Sequence, residues 1–141
     1  MDQFYMEQAY KQANMSMCIR NKVGAVLVLN GKIIAQGYNN TTGGVKDCSE
    51  VGCIRDIMKI KHGERREVCR AICAEQLALT EAARNGEKTD GSTAYVTTFP
   101  CYICAKMLVS AGIKEIVYDN DYPDELSKNF LNEAGVEVRK I

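Results

Sequence analysis

Net charge is missing from this sequence: 18 basic and 18 acidic residues cancel. A chain without a global positive field lacks the counterion-release force that holds long polyanions. DNA and RNA are therefore not expected partners, although a local patch can still hold one phosphate. Long hydrophobic runs are missing too, and the longest, VGAVLVL, is far too short to cross a bilayer. The opening MDQFYMEQAY has neither the basic nor the apolar region of an export signal. A soluble, cytoplasmic protein with no membrane partner is expected. Histidine is nearly absent: His62 stands alone, in the charged run KIKHGERRE, which reads as solvated surface. Repeats, low-complexity tracts and obvious linkers do not occur. With 46% hydrophobic residues, positions 1–141 are expected to form one domain whose core needs no disulfides.

Cysteine, by contrast, is plentiful, with seven in the chain. An odd number without an export signal argues against a disulfide framework and for metal binding or thiol chemistry. Packing as small hydrophobes accounts for one or two of them. It does not account for seven at patterned spacings.

Periodicity and turn residues lay out the fold. Residues 3–17 carry Phe4, Ala9, Ala13 and Met17 on a rough helical period, which predicts an amphipathic helix. Two β-branched runs then flank Asn30-Gly31, the two-residue signature of a type I′ hairpin. A helix over 71–85 is expected to stop at Gly86, followed by the strand TAYVTT. Pro100 opens a helix over 101–111, Gly112 closes it, and the strand IKEIVY follows. The helix DELSKNFLNEAG and the strand VEVRK finish the chain. The order α-β-β-α-β-α-β-α-β implies an α/β protein, a three-layer α/β/α sandwich around a five-stranded mixed sheet. Residues 39–70 fit this plan poorly, with one short helix expected around CIRDIMKI. Long irregular connections of this kind are usually functional or disordered, and Cys48, Cys53, Cys69 and His62 are candidates for holding this one in place.

The chemistry gathers at two helix starts. Cys101 and Cys104 form a Cys-x-x-Cys pair that suits two corners of a zinc tetrahedron. Cys73, at the start of the preceding helix, is placed where partial positive charge and free N–H groups stabilise a thiolate, and is the expected third ligand. Three protein ligands leave a position open, which is the arrangement of a catalytic zinc. Glu75 then stands beside the metal without ligating it, where a carboxylate can take a proton from water and pass it to a leaving group. Read without that carboxylate, the Cys-x-x-Cys pair fits a redox dithiol or a zinc ribbon equally well.

Cys73-Ala74-Glu75, a spacer of 24 residues and Pro100-Cys101-Tyr102-Ile103-Cys104 resemble the zinc-dependent nucleobase deaminases, whose signature is H-x-E followed by P-C-x-x-C. The stretches MCIRNKVGAVLV, IIAQGYNN, DCSEVGCIRD, GERREVCRAICAEQLAL and YVTTFPCYICAKMLVSAGIKEIVY are together most similar to the deoxycytidylate deaminase branch, over roughly residues 15–120. The resemblance implies a cytidine deaminase-like fold and hydrolytic deamination of the nucleotide dCMP to dUMP and ammonia in pyrimidine nucleotide metabolism. It also implies a homo-oligomer, most often a hexamer. By position, it puts Asn39 on the sugar, the Ala74 N–H on the base carbonyl, and Val23 and Phe99 beside the ring. Arg20 and Lys22 are candidates for the phosphate, against the plainer reading of a solvated face. Cys18, Cys48, Cys53 and Cys69 are candidates for a second, structural zinc, with His62 or simple packing as competitors.

Three departures from the branch stand out. Cys73 replaces the usual histidine, so three thiolates make the cluster anionic, and a cation hydrogen-bonded to a sulfur is needed to offset this. Arg70 is the expected cation. Leu77 stands where asparagine is common, which is expected to alter the sugar contacts. GYNNTTGG lacks the usual Gly-x-Pro, so the triphosphate site of the family is not assumed for this chain. The alternatives are deamination of cytidine, deoxycytidine or a modified cytosine nucleotide, and a non-catalytic zinc-stabilised module. Adenosine deamination in tRNA shares the motif but calls for a basic surface that this chain lacks.

Overall fold

The structure, a computed structural model, describes residues 1–141. Its centre is a mixed sheet of five strands, β1 (Gly24–Leu29), β2 (Lys32–Tyr38), β3 (Thr93–Thr98), β4 (Glu115–Asn120) and β5 (Glu137–Lys140), in the order β2-β1-β3-β4-β5. β1 runs antiparallel to both β2 and β3, and β3, β4 and β5 run parallel. Asn30 and Gly31 both have positive φ, 52° and 75°, as a type I′ hairpin turn requires. The antiparallel start and parallel finish match the expected sandwich. The two outer layers are α1 (Asp2–Ala13) on one face of the sheet and α4 (Ala74–Arg84), α5 (Tyr102–Ser110) and α6 (Glu125–Glu133) on the other.

Alternation along β1 builds both cores. Val26 and Val28 pack with Tyr5, Met6 and Ala9 of α1, while Ala25 and Leu27 turn to the opposite face and meet Ala74, Ala78 and Leu108. The apolar face of α1 is therefore Tyr5, Met6, Ala9 and Ala13, and the expected Phe4 and Met17 are exposed. Two contacts set that rotation: Tyr5 donates its hydroxyl to the Gly31 carbonyl at 2.8 Å, and Asp2 accepts from the Tyr95 hydroxyl at 2.6 Å. α1 also stops at Ala13, short of Met17.

Residues 39–70 contain more structure than one short helix. The segment carries α2 (Cys48–Val51), α3 (Ile54–Ile57) and a 3-10 turn at Arg66–Val68. Its neck is closed by an antiparallel bridge, with Asn40 N–H donating to the Ile72 carbonyl at 3.3 Å and Ile72 N–H to the Asn40 carbonyl at 2.9 Å. The body is pinned by side chains. Arg20 donates to the Ile60 carbonyl at 2.6 Å and pairs with Asp56 at 3.3 Å, Arg55 donates to the Glu64 carbonyl at 3.1 Å, and the Tyr122 hydroxyl donates to the Gly63 carbonyl at 3.3 Å.

The two active helices begin later than expected, at Ala74 and Tyr102, so Cys73 and Cys101 are their N-caps. α4 lies hard against β2 at Gly37. A Cβ there would stand 2.5 Å from the Ala74 carbonyl oxygen and 2.6 Å from the Ala78 nitrogen, both backbone atoms that cannot swing aside. Gly37→Ala is expected to destabilise the protein by about 3 kcal/mol, the upper end of overpacking costs, and to lower the melting temperature by roughly 10 °C. An unchanged melting curve would mean that α4 stands further from the sheet than described.

Candidate active site and metal centre

Both helix starts point at one place. The sulfurs of Cys73, Cys101 and Cys104 lie within 4.8 Å of one another, and this is the one group of three or more ligand-type side chains in the chain that does so. All seven cysteines are free thiols. Cys73 closes a capping box: its sulfur accepts from the Gln76 backbone N–H, and the Gln76 side chain accepts from the Cys73 N–H at 3.0 Å. Within the cluster, Cys101 is the thiolate. Hydrogen bonds from Cys104 and then Cys73 draw its pKa down to about 2, against the opposing effect of burial, with the Cys104 backbone N–H and Arg66 adding to the pull. Cys73 and Cys104 are pushed upward, first by hydrogen bonding to Cys101. A soft, preformed thiolate with two thiol neighbours is the donor set that zinc takes.

Glu75, in the first turn of α4, is 4% exposed. Burial, reinforced by the negative charge at Cys101, raises its carboxyl pKa to about 7. A carboxyl poised near neutrality can both accept and return a proton. With the cysteines it lines a narrow cavity of about 30 Å³, together with Val23, Asn39, Ala74 and Phe99, so the expected ring-side residues converge here. Ala74 is the first residue of α4, so its N–H has no intrahelical partner and is free for a ligand. The Asn39 amide is fixed by the backbone, its oxygen accepting from Val23 N–H at 2.8 Å and its nitrogen donating to the Asn21 carbonyl at 2.7 Å. One N–H and one lone pair remain.

Other expectations are corrected. The cation on the sulfur is Arg66, which donates to Cys73 Sγ at 3.2 Å and to the Tyr122 hydroxyl at 3.3 Å; Arg70 is exposed. Burial works against the Arg66 charge, but the contact with the Cys73 sulfur and the negative charge at Cys101 outweigh it and hold the guanidinium above its usual pKa. Arg70 instead faces the Cys48 thiol, on which it acts as a nearby positive charge. Lys22 is exposed and lines an outer depression with Asn120 and Asp121, away from the sulfurs. Leu77 lines a separate hollow with Tyr38 and Glu81, so it does not alter the cavity at Glu75. Cys18, Cys48, Cys53 and Cys69 share a neighbourhood: burial first, then the thiols of Cys18, Cys69 and Cys53, push the Cys48 pKa up. Their sulfurs are not drawn within 4.8 Å of one another, however.

Comparison with known proteins agrees with this geometry. The family described as "Cytidine and deoxycytidylate deaminase zinc-binding region" matches residues 1–120. The chain belongs to this family. Zinc is the metal named in that description, and the Cys73, Cys101 and Cys104 sulfurs fit it. Among curated relatives, the deoxycytidylate deaminase of Schizosaccharomyces pombe is 36% identical over 140 residues, which are 99% of this chain and 43% of the yeast protein. The ComE operon protein 2 of Bacillus subtilis is 35% identical over 141 residues, 99% of this chain and 70% of the relative. This chain thus spans less than half the length of the yeast relative. Among solved structures, the dCMP deaminase of cyanophage S-TIM5 in complex with dCMP and dUMP superposes with a TM-score of 0.83 at 34% identity, covering 99% of this chain and 95% of that one. The fold is that of the cytidine deaminases, and no helix is long and apolar enough to cross a membrane.

Proposed function

We propose that residues 1–141, as one domain, catalyse the hydrolytic deamination of dCMP to dUMP and ammonia. The observation that carries this reading is a buried carboxyl, Glu75, with a pKa near 7, beside three mutually close sulfurs in a cavity walled by Val23 and Phe99. The likeness to the S-TIM5 enzyme over the whole chain supports the substrate.

Cys73, Cys101 and Cys104 hold the zinc, which when bound supplies Lewis acidity and makes water a nucleophile at neutral pH. The chain's own residues do the rest. Val23 and Phe99 clasp the cytosine ring, and Phe99 is itself steadied by an edge-on contact with Tyr118 at 5.0 Å. The Ala74 N–H holds the base carbonyl, and Asn39 reads a sugar hydroxyl with the hydrogen-bonding capacity its backbone contacts leave free. Glu75 takes a proton from water as the oxygen adds at C4 and delivers it to N3; it then takes the second proton from the oxygen now on C4 and passes it to the exocyclic nitrogen, which leaves as ammonia as the C4 carbonyl forms. Arg66 keeps a fixed positive charge on the Cys73 sulfur, so that three thiolates do not leave the site too electron-rich to activate water.

The remaining assignments belong to the same proposal. Cys18, Cys48, Cys53 and Cys69 take a second, structural zinc by drawing their sulfurs together, supported by the mutual influence already registered at Cys48. A cytoplasmic location suits seven free thiols. A homo-oligomer, a hexamer by preference, rests on the likeness to the family.

Ammonia release from dCMP, deoxycytidine, cytidine and CMP, with zinc per chain measured on the same sample, tests the reading. Turnover of dCMP in preference to the other three is expected, with a zinc count near two. A count near one defeats the second site and leaves the first intact. No release from any of the four defeats the proposed reaction.

A further inference from the structure

Cys73 and Cys101 occupy equivalent places, each the N-cap of a helix that begins at the sulfur cluster, yet they are held in different ways. Cys73 is fixed from within its own helix, by the exchange with Gln76. Cys101 is fixed from outside, by the start of α6. Ser127 Oγ donates to the Pro100 carbonyl at 2.7 Å, and Asp124 Oδ2 accepts from the Tyr102 N–H at 2.8 Å. These are the residues immediately before and after Cys101. Neither group has another partner in the chain: the Pro100 carbonyl accepts no backbone N–H, and the Tyr102 N–H is one of the amides that the first turn of α5 leaves unpaired. Pro100 is under 2% exposed and Ser127 is fully buried, so solvent does not replace the bond between them. The two bonds fix the peptide planes on both sides of Cys101, and with them the φ of −69° and ψ of 167° that aim its sulfur. The second plane is also tied into α5, because the Cys101 carbonyl accepts from Ala105 N–H at 2.8 Å; the first plane has its carbonyl held by Ser127 alone. Asp124 has a second task, as the N-cap of α6, where its Oδ1 accepts from the Ser127 N–H at 3.0 Å. One carboxylate thus serves the starts of two helices. α6 is itself anchored, since Leu131 is buried in the same core as Cys104 and Leu108.

We propose that Asp124 and Ser127 are positioning residues that hold Cys101 in the orientation metal binding requires, and so set the affinity of the three-cysteine site for its ion. This role rests on the reading of Cys73, Cys101 and Cys104 as the zinc site, and not on the identity of the substrate. Zinc holds its sulfur ligands to a narrow range of distance and angle. Freed of the Ser127 bond, the peptide before Cys101 turns, and the sulfur spends part of its time out of register with its two neighbours. Groups that orient metal ligands are typically worth about tenfold to a hundredfold in affinity. α6 therefore does more than cover the sheet: its first turn governs a sulfur that belongs to another helix.

The test compares wild-type, Ser127→Ala and Asp124→Ser chains. Both variants spare α6. The first keeps Asp124 as its cap, and in the second serine caps a helix as well as aspartate does but has one oxygen where the carboxylate uses two. Zinc affinity is measured by competition with a chromophoric chelator, and the melting temperature is measured with and without zinc. Any zinc held elsewhere is common to the three chains, so differences between them report this site. Each variant is expected to bind zinc about tenfold to a hundredfold more weakly, and the rise in melting temperature that zinc gives the wild type is expected to shrink in both. A role confined to supporting the fold moves neither quantity: each variant then melts lower by the same amount with and without zinc, at unchanged affinity, and that result overturns the proposal. If Ser127→Ala fails to fold, Asp124→Ser is read on the same two scales. A wild type that binds no zinc defeats the metal site and the positioning role with it. A wild type that binds zinc but releases no ammonia from dCMP, with the variants weakened as expected, refutes the reaction and keeps the positioning role; an active wild type whose variants bind zinc unchanged does the reverse.

Discussion

Replacing Glu75 with glutamine is expected to lower kcat by about a thousandfold while zinc stays bound at the wild-type level. The range follows from what a positioned acid–base group contributes, about a hundredfold to ten-thousandfold, and Glu75 is positioned more tightly than most. It is fixed in the first turn of α4 and 4% exposed. Glutamine keeps the volume and one acceptor but cannot take a proton at neutral pH. The folded protein is not expected to suffer, because an amide carries no charge to desolvate in this buried position, and the melting temperature should hold or rise. Steady-state ammonia release with zinc measured alongside decides the matter. Full turnover by a zinc-loaded Glu75→Gln chain would show that the proton travels by another route.

Replacing Cys101 with serine is expected to remove activity altogether and to reduce the zinc count by one. Cys101 is the sulfur that both neighbours donate to, so its loss leaves Cys73 and Cys104 without the thiolate around which they are arranged. Oxygen is a poor substitute for a soft thiolate on zinc. Arg66 keeps its contact with Cys73 Sγ but loses the negative charge at Cys101 that helps to hold it, and a lower melting temperature is expected. A chelator applied to the wild type should reproduce the loss of activity, and added zinc should reverse it. Activity that survives the chelator would instead identify Cys101 and Cys104 as a redox dithiol, which needs no metal.

The parts of this molecule that were legible in the sequence are those in which neighbouring residues decide the outcome. Asn30-Gly31 dictates its hairpin because both positions need positive φ, and TAYVTT becomes β3 without a shift of boundary. The three clustered cysteines and Glu75 were visible because each lies at a helix start whose local chemistry favours it. The misses involve distant partners. Arg70 looked like the cation for Cys73 because it lies three residues away, yet Arg66, seven residues away, reaches the sulfur. Arg65 takes a left-handed conformation, φ 51°, and the 3-10 turn that follows carries Arg66 inward. Nothing in KIKHGERRE announces that one of its charges turns inward to a sulfur. Arg55 was passed over for the same reason: CIRDIMKI reads as a short helix, and its pattern does not show that the arginine is 6% exposed and bound to the Glu64 carbonyl. The face of α1 also depended on distant groups, the Gly31 carbonyl and the Tyr95 hydroxyl, which set the rotation of the helix.

The bridge between Asn40 and Ile72 fastens both ends of the intervening chain at one point, just before Cys73. A loop closed in this way behaves as an exchangeable cassette. Each doubling of its length costs only about 0.6 kcal/mol in closure entropy, and insertions within it need not move the first turn of α4. An insertion between positions 41 and 65 is expected to leave the cysteines, the carboxylate and Arg66 in their places.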